Sequence, residues 1–283
     1  MMNLIFDTDL TNEIDDIFSL SYLLKSDLAD FIKAITLAPY DPFWQDYDFD
    51  SVMERNINEA KKIVSFVDTR KLELIAPGSK TFLKDCNASK KNIKAVERIV
   101  EISQNSKTLF LATGCLTNLA LAIKEKPEIA KNISLVWLGG RNPFQKDTKP
   151  EFNLRQDIEA AQIVFQLVED ITMIWSKEIA WNLRVPLEVI TENLSNKHDL
   201  ASYLLTLYLN LEKVKLYQIK SLYDIAIPIY ITNPEFFTME TISIKEITKD
   251  GTYLVGEGKP VKICTSIQTE RILNQFFKII STK

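Results

Sequence analysis

The amino-acid sequence predicts one α/β domain over residues 1–283, with an open, mostly parallel, doubly wound sheet and a helical insertion or lid in its second half. Two observations favour this fold class. Short apolar runs alternate with longer amphipathic segments, which is typical of a parallel sheet covered by helices on both faces. The composition, 46% hydrophobic and 25% charged, is that of a globular protein.

The predicted strands are short apolar runs, two of which stop at a turn signal. They are Asn3–Phe6, Phe31–Leu37, Glu73–Ala76, Thr108–Ala112, Ile133–Leu138 and Ile171–Trp175. Pro77-Gly78 closes the third and Gly139-Gly140 the fifth, as expected at strand ends.

The segments between the strands have helical spacing of their apolar residues. They are Ile14–Leu24, Phe49–Phe66, Ile93–Ser103, Leu116–Lys124 and Ile158–Leu167.

The pattern changes after Pro186. Two segments, Leu187–Leu194 and Leu200–Lys220, are predicted to be helical with no strand between them. The turn-rich stretch Phe237–Lys262 predicts a small antiparallel excursion, and a terminal helix is expected near Gln268–Ile279.

Histidine and glycine are scarce, which limits the kinds of metal, cofactor and catalytic site that the chain can form. The chain has one histidine, His198, and seven glycines. A multi-histidine metal site is therefore improbable, and neither a G-x-G-x-x-G nor a P-loop motif occurs. Carboxylates are expected to carry any catalysis. His198 lies in a polar turn and is expected to be exposed or to cap the following helix.

The net charge and the cysteine content indicate which classes of partner and which cellular compartment to expect. A net charge of −4 disfavours nucleic-acid binding, which needs a basic surface. The three widely spaced cysteines, Cys86, Cys115 and Cys264, favour a reducing cytoplasm over a disulfide framework. The N-terminus lacks the features of a signal peptide, and no apolar run approaches the ~20 residues that span a membrane.

Acidic side chains crowd the end of the first predicted strand. Asp7 and Asp9 end it, and the next turn carries Asn12, Asp15 and Asp16. Ligands of open parallel sheets bind beyond the carboxyl ends of the strands. Unpaired carboxylates there would repel one another, and a hard cation such as calcium or magnesium would relieve the repulsion. The alternative is a solvated acidic turn at a helix N-terminus.

Polar residues follow other strands too. The carbonyl of Thr113 could face the same crevice, and Glu151 and Asn153 flank Phe152 so that both could reach one pocket and bind hydroxyl groups. Asp157 and Asp224 each precede an apolar helical run. Asp157 could be a helix cap, and Asp224 either a cap or a further metal ligand.

Five motifs in order resemble the nucleoside hydrolases, the calcium-dependent N-ribohydrolases of the inosine–uridine preferring type and their relatives. The motifs are Asp-Thr-Asp with Asn-Glu-Ile-Asp-Asp (7–9, 12–16), Thr-Gly-x-Leu-Thr-Asn-Leu-Ala (113–120), Trp-Leu-Gly-Gly (137–140), Glu-Phe-Asn…Asp-x-Glu-Ala-Ala (151–161) and the late Asp224. They cover most of the chain. The resemblance implies hydrolysis of ribonucleosides to ribose and free base, in purine or pyrimidine salvage.

The resemblance also implies a metal site. Asp9, Asp16, Asp224 and the carbonyl of Thr113 would hold Ca²⁺, and Asp9 would take a proton from a calcium-bound water. Such a mechanism is self-consistent, because a cation acidifies its water and carboxylates stabilise an oxocarbenium-like transition state.

The remaining roles implied by the resemblance concern the ribose and the assembly. Ribose contacts fall on Asp15, Asn12, Glu151, Asn153 and, less directly, Asn142. Asp7 would be a supporting residue behind them. A homodimer or homotetramer is expected.

The leaving-base side departs from the family pattern. Tyr223 stands where other members have histidine or tryptophan, and it could stack on the base or donate a proton, although a phenol is a poor acid at neutral pH. Trp181 and the aromatic segment Tyr40–Tyr47 are further stacking candidates. Thr11 replaces a common glycine and Cys115 a common proline.

Two other functions compete with this interpretation. Asp7-x-Asp9-x-Thr11 also resembles the opening of haloacid-dehalogenase-type phosphatases, in which Asp7 would be the nucleophile and Mg²⁺ the metal. Alternatively, the chain is a catalytically altered, nucleoside-binding member of the hydrolase fold.

Overall fold

A computed structural model describes residues 3–41, 48–86, 92–144 and 149–282. The strands are β1 (Asn3–Thr8), β2 (Ile32–Leu37), β3 (Ile75–Pro77), β4 (Thr108–Ala112), β5 (Ile133–Leu138), β6 (Asp170–Ile174), β7 (Arg184–Pro186), β8 (Ile219–Ser221), β9 (Phe237–Ile247) and β10 (Tyr253–Ile267).

The main sheet, within these residues, has eight strands in the order β3-β2-β1-β4-β5-β6-β10-β9. β1 to β6 run parallel, and β10 joins β6 in parallel while β9 runs antiparallel at the edge. The strand order reverses between β1 and β4, where Asp7 pairs with Ala112. Such a switch point opens a crevice at the carboxyl ends of the two strands.

Helices cover both faces of this sheet. They are α1 (Asp15–Lys25), α2 (Phe49–Val67), α3 (Lys94–Ser103), α4 (Thr117–Glu125), α5 (Phe152–Gln156), α6 (Ile158–Leu167), α7 (Leu187–Leu194), α8 (Asp199–Asn210), α9 (Glu212–Tyr217), α10 (Ala226–Thr232) and α11 (Thr269–Ile280). All five residues of β4 are buried, as expected for a strand covered on both faces. None of the helices in the described part of the chain is long and apolar enough to cross a membrane.

The predicted α/β fold is confirmed, and most predicted elements lie within two residues of the observed ones. The helix predicted over Leu200–Lys220 is wrong. It is divided into α8 and α9, and Gln218, with φ of 57°, ends α9 in the left-handed conformation. The chain then forms β8, which pairs with β7 in a separate two-stranded sheet.

The C-terminal strands β9 and β10 pair antiparallel, as predicted, but they belong to the main sheet. β10 hydrogen-bonds with β6 through the register Lys262 to Thr172 and Ile263 to Met173. Local sequence contains no signal for this pairing, because the two strands are about ninety residues apart.

Candidate active site

A cavity of about 380 Å³ opens at the carboxyl ends of β1 and β4. Nine predicted site residues line it: Asp9, Asn12, Asp15, Asp16, Thr113, Glu151, Asn153, Tyr223 and Asp224. The switch point thus brings together side chains from four distant parts of the sequence.

Three of the lining residues, Asp9, Asp16 and Asp224, are buried carboxylates. Burial raises the pKa of Asp9 and of Asp224, and the neighbouring Asp16 raises both further. Burial and the adjacent Asp15 raise the pKa of Asp16 to about 7. These carboxylates resist ionisation together, so the cluster favours a bound positive charge.

Hydroxyl groups and helix geometry hold the cluster in place. Thr8 Oγ1 and Thr113 Oγ1 donate to Asp16 Oδ1, at 2.5 and 2.7 Å. Ser19 Oγ, one turn along α1, donates to the backbone carbonyl of Asp224 at 2.9 Å. α1 therefore links the end of β1 to the segment that carries the late aspartate.

The donor set fits a hard cation. Asp9 Oδ1 and Asn12 Oδ1 are buried and have no hydrogen-bond partner among the described residues. All candidate donors are oxygens, as calcium and magnesium prefer. No three His, Cys, Asp or Glu side chains in the described ranges already have metal-site geometry. The chemistry of the donors nevertheless supports a cation site, because carboxylates without a cation between them repel one another.

The carbonyl of Thr113 has a protein partner of its own. Asn153 Nδ2 donates to it at 2.6 Å and to the Leu138 carbonyl at 2.8 Å. A carbonyl oxygen has two lone pairs, so this bond still leaves one for a cation. Asn153 thereby connects the predicted metal and ribose contacts.

Lys220 is a site residue that the sequence interpretation missed. Its Nζ donates to Asp15 Oδ1 at 3.2 Å, to Glu13 Oε2, and to the Ser221 carbonyl at 2.9 Å. The backbone N–H of Tyr223 binds the other Asp15 oxygen at 3.1 Å. Asp15, a predicted ribose contact, is thus held on both oxygens. The only sequence signal was the position of Lys220, three residues before Tyr223.

Asp7 supports the site from behind. Its Oδ1 accepts from Thr36 Oγ1 at 2.5 Å and from Asn118 Nδ2 at 2.9 Å. The side chain is buried, which raises its pKa to about 7, and it does not line the cavity. A phosphatase nucleophile must reach its substrate, so this position disfavours the haloacid-dehalogenase-type alternative.

Glu151 lines the same cavity as Asp9. It is the N-cap of α5, where its Oε2 accepts from the N–H groups of Leu154 at 3.2 Å and Gly140 at 2.9 Å. Burial raises its pKa despite these bonds. Asp157 caps α6, as predicted, through the N–H of Ala160.

Asn142 is the one predicted ribose contact that the structure places elsewhere. Its Oδ1 accepts from the Phe144 N–H at 2.9 Å in a local turn, and the residue does not line the cavity. Asparagine side chains commonly accept a hydrogen bond from the backbone two residues on, and this explains the residue without a ligand.

Tyr223 presents its ring to the cavity. The ring lies 6.0 Å from that of Trp181, centroid to centroid, and 5.0 Å from Lys220 Nζ. Burial raises the pKa of Tyr223 to about 12, which makes proton donation at neutral pH unfavourable. Stacking is the better-supported role. Of the predicted aromatic segment, residues 42–47 lie outside the described residues.

Three further residues singled out in the sequence have structural explanations. His198 caps α8 and contacts the Ile280 carbonyl at 2.8 Å, which confirms the capping prediction. Thr11 fastens the acidic turn to α2, because its N–H and hydroxyl both donate to Asn56 Oδ1. Cys115 Sγ donates to the Pro39 carbonyl.

Comparisons with known proteins agree with the fold and with the predicted family. The sequence model of the inosine-uridine preferring nucleoside hydrolase family matches residues 56–274. An inosine-uridine preferring nucleoside hydrolase of Leishmania major is 38% identical over 85 residues, an alignment that spans 28% of this chain and 27% of that protein.

Solved structures resemble the chain over its whole length. A plant nucleoside hydrolase has a TM-score of 0.76 at 19% identity, covering 100% of this chain and 99% of its own. A purine-preferring ribonucleoside hydrolase from Gardnerella vaginalis has the same score and identity, covering 99% and 98%. At this identity the structures show a shared fold.

Proposed function

The chain belongs to the inosine-uridine preferring nucleoside hydrolase family, and we propose that it hydrolyses the N-glycosidic bond of ribonucleosides, releasing ribose and free base. The observation that carries the proposal is the convergence of Asp9, Asp16, Thr113 and Asp224 on one cavity at the switch point of the sheet. These residues come from three distant segments.

Calcium is the cation we propose for this site. The family is generally metal-dependent, and an oxygen-only donor set with several carboxylates suits calcium. Asp9, Asp16, Asp224 and the Thr113 carbonyl would hold it. When bound, the cation would acidify a water molecule and orient ribose hydroxyls.

Asp9 is the proposed general base. Its Oδ1 is free of hydrogen bonds among the described residues, whereas Oδ2 accepts from Asn12 Nδ2 at 3.0 Å. One oxygen is thus oriented and the other is available to take the proton of the attacking water. Asn12 positions Asp9 and also faces the substrate.

Polar side chains from separate parts of the chain would bind the ribose. Asp15, held by Lys220, would accept hydrogen bonds from ribose hydroxyls. Glu151 and Asn153 would accept further hydrogen bonds from them. Fixed carboxylates orient the sugar and stabilise positive charge that develops at the anomeric carbon.

The leaving base would stack on Tyr223 and Trp181. Trp181 is exposed beside the cavity, and the two rings lie in contact distance of each other. Because the phenol of Tyr223 is a weak acid, stacking and solvent protonation would release the base.

We further propose a cytoplasmic homodimer or homotetramer that acts in nucleoside salvage and binds neither nucleic acid nor membranes. The three cysteines have no disulfide, which suits a reducing compartment. Light scattering of the purified protein would measure its oligomeric state.

The decisive assay measures reducing sugar released from inosine and uridine with calcium present. We expect turnover that chelation abolishes and calcium restores. Absence of turnover with any common ribonucleoside would reject the proposal and favour the altered, nucleoside-binding alternative. Phosphate release from a generic phosphate ester would instead support the phosphatase alternative.

A further inference from the structure

The turn between β1 and α1 is fastened to neighbouring elements by side-chain hydrogen bonds. It contains Asp9, whose backbone carbonyl accepts from the Asn12 N–H at 2.8 Å. Thr11 lies between these residues and donates twice to Asn56 Oδ1 on α2, from its N–H at 2.9 Å and from Oγ1 at 2.7 Å. Tyr40, which follows β2, contacts Thr11 Oγ1 at 3.0 Å. The turn that carries the proposed general base is therefore connected to two other parts of the fold.

The hydrogen bonds of this cluster have a defined direction. A backbone N–H can only donate, so the atom of Asn56 that faces Thr11 is the amide oxygen. The single proton of the Thr11 hydroxyl goes to the same oxygen, and Thr11 Oγ1 therefore accepts from the Tyr40 hydroxyl. Burial raises the pKa of Tyr40, so the phenol keeps this proton at neutral pH. Asn56 Nδ2 donates in turn to the Ala38 carbonyl at 3.4 Å.

These three residues, which we call the Thr11 network, place polar groups where apolar ones would suffice for packing. Asn56 and Tyr40 are both 0% exposed. The other buried residues of α2, which lies wholly within the described ranges, are apolar: Val52, Met53, Ala60, Ile63 and Val64. An apolar residue at position 56 would continue this face without the cost of burying an amide. A satisfied buried polar network instead selects one conformation, here that of the turn.

Asp9 needs such an anchor because its surroundings oppose its charge. Its carboxylate is buried beside Asp16, and two ionised carboxylates repel each other. A free turn would relieve the repulsion by moving Asp9 away, whereas an anchored turn keeps it in place. Position matters for a group that takes a proton, because a misplacement of about 1 Å can cost about 100-fold in rate.

We propose that Thr11, Asn56 and Tyr40 are positioning residues that fix Asp9 before a cation and a substrate bind. The inference rests on the proposed function for the role of Asp9. None of the three lines the cavity, so each acts through the turn rather than on the substrate. Tyr40 is thus not a stacking residue, although the aromatic segment suggested it. The glycine that is common at position 11 has no side chain to supply this anchor.

Calcium binding tests the network without catalysis. Thr11→Val keeps the branched shape and the backbone N–H but removes the hydroxyl, and Tyr40→Phe removes the donor to it. Calorimetry of the metal-free proteins with calcium alone should find each variant binding at least about tenfold more weakly than the parent. Thr11→Ser retains the hydroxyl and should keep the parent affinity. Unchanged affinity in both Thr11→Val and Tyr40→Phe would overturn the inference.

Thr232→Val is the matched control. Thr232 Oγ1 contacts the hydroxyl of the buried Tyr22 at 2.9 Å, and neither residue lines the cavity. This variant removes the same kind of contact, so it should lower Tm about as much as Thr11→Val does while leaving calcium affinity and kcat unchanged. Equal losses of calcium affinity in the two variants would indicate general destabilisation and would overturn the inference.

Kinetics separate positioning of Asp9 from binding of the substrate. With saturating calcium, Thr11→Val should lower kcat at least about tenfold, because Asp9 is misplaced. KM should stay close to that of the parent, since the ribose contacts remain. Thr11→Ser should restore kcat. A raised KM with unchanged kcat would overturn the inference, because the network would then act on substrate binding.

Crystal structures of the metal-free parent and of Thr11→Val keep the inference testable if the proposed function fails. We expect the turn and the Asp9 carboxylate to be displaced in the variant while α2 stays in place. An identical position of Asp9 in both structures would overturn the inference. A displaced Asp9 in a chain that binds no calcium and hydrolyses no nucleoside would support the network and reject the proposed function.

Discussion

At the scale of single residues, Asp9 combines a buried carboxylate with one oxygen that lacks a partner among the described residues. We expect Asp9→Asn to lower kcat by about 10³-fold, because the amide cannot accept the water proton. The metal-free variant should be at least as thermally stable as the parent, since a buried charge is removed. Reducing-sugar assays and calorimetry measure the two effects.

A suitable control is Asp30→Asn, which changes an almost fully exposed carboxylate. It should leave both kcat and Tm unchanged. Activity of Asp9→Asn within tenfold of the parent would show that another group accepts the proton.

Lys220 has consequences for both stability and substrate binding. Its side chain is 7% exposed and neutralises Asp15 and Glu13 together. Lys220→Met leaves two carboxylates facing each other, and breaking a buried ion pair in this way typically costs about 3–5 kcal/mol. We expect that loss in urea denaturation, and a raised KM because Asp15 is no longer held.

A double variant separates charge from packing. Glu13→Gln in the Lys220→Met background removes one of the two opposed charges and should recover part of the lost stability. If the double variant is less stable than Lys220→Met alone, repulsion is not the cause.

At the scale of elements, one carboxylate joins three parts of the fold. Asp157 caps α6 through the Ala160 N–H, and its Oδ2 also accepts from the Leu83 N–H and the Thr117 hydroxyl. Asp157→Ala should lower the free energy of unfolding by about 2 kcal/mol, because it removes a cap and leaves buried donors without a partner.

Denaturation in urea would measure this loss. Glu159→Ala is the matched control, because Glu159 is an exposed carboxylate in the same turn. The Asp157 variant should keep its kcat, since the residue does not line the cavity. Equal stability of the two variants would show that the cap contributes little.

Elements that depend on local pattern were predictable from the sequence. β4, β5, α6 and α7 have the predicted bounds, because apolar spacing and turn residues determine them locally. The elements that were not predicted depend on contacts between distant parts of the sequence. β8 forms because β7 offers a partner, and a three-residue strand has no periodicity to detect.

The candidate site shows the same division. The aspartates were found because strand ends and acidic spacing are visible in sequence. Lys220 was not, because a lysine after a helix is ordinarily solvated, and only the fold turns it towards Asp15. Asn142 was misplaced because its turn, rather than the cavity, uses its side chain.

At the scale of the whole molecule, the buried acids couple stability to pH and to metal. Burial raises the pKa of Asp7 and Asp16 from 3.8 to about 7, so the folded protein binds their protons more tightly than the unfolded chain does. The stabilisation they provide is complete below about pH 4 and is lost as the pH rises towards 7. The metal-free protein should therefore lose stability across this window.

Calcium should reverse that loss, because it replaces the protons. We expect the Tm difference between calcium-loaded and chelated protein to be at least about 5 °C at pH 7.5 and smaller at pH 4.5. Titrating groups remote from the site affect both Tm values equally, so their contribution cancels in the difference. Thermal scans measure the two Tm values. A difference that is independent of pH would contradict the assignment.

The pairing of β10 with β6 has a consequence for biosynthesis. β6 emerges from the ribosome about ninety residues before β10, the strand that covers its free side. Until then the growing sheet presents an unpaired edge, which is a template for association with other chains. Chains that terminate early, or that refold at high concentration, should therefore aggregate through this edge.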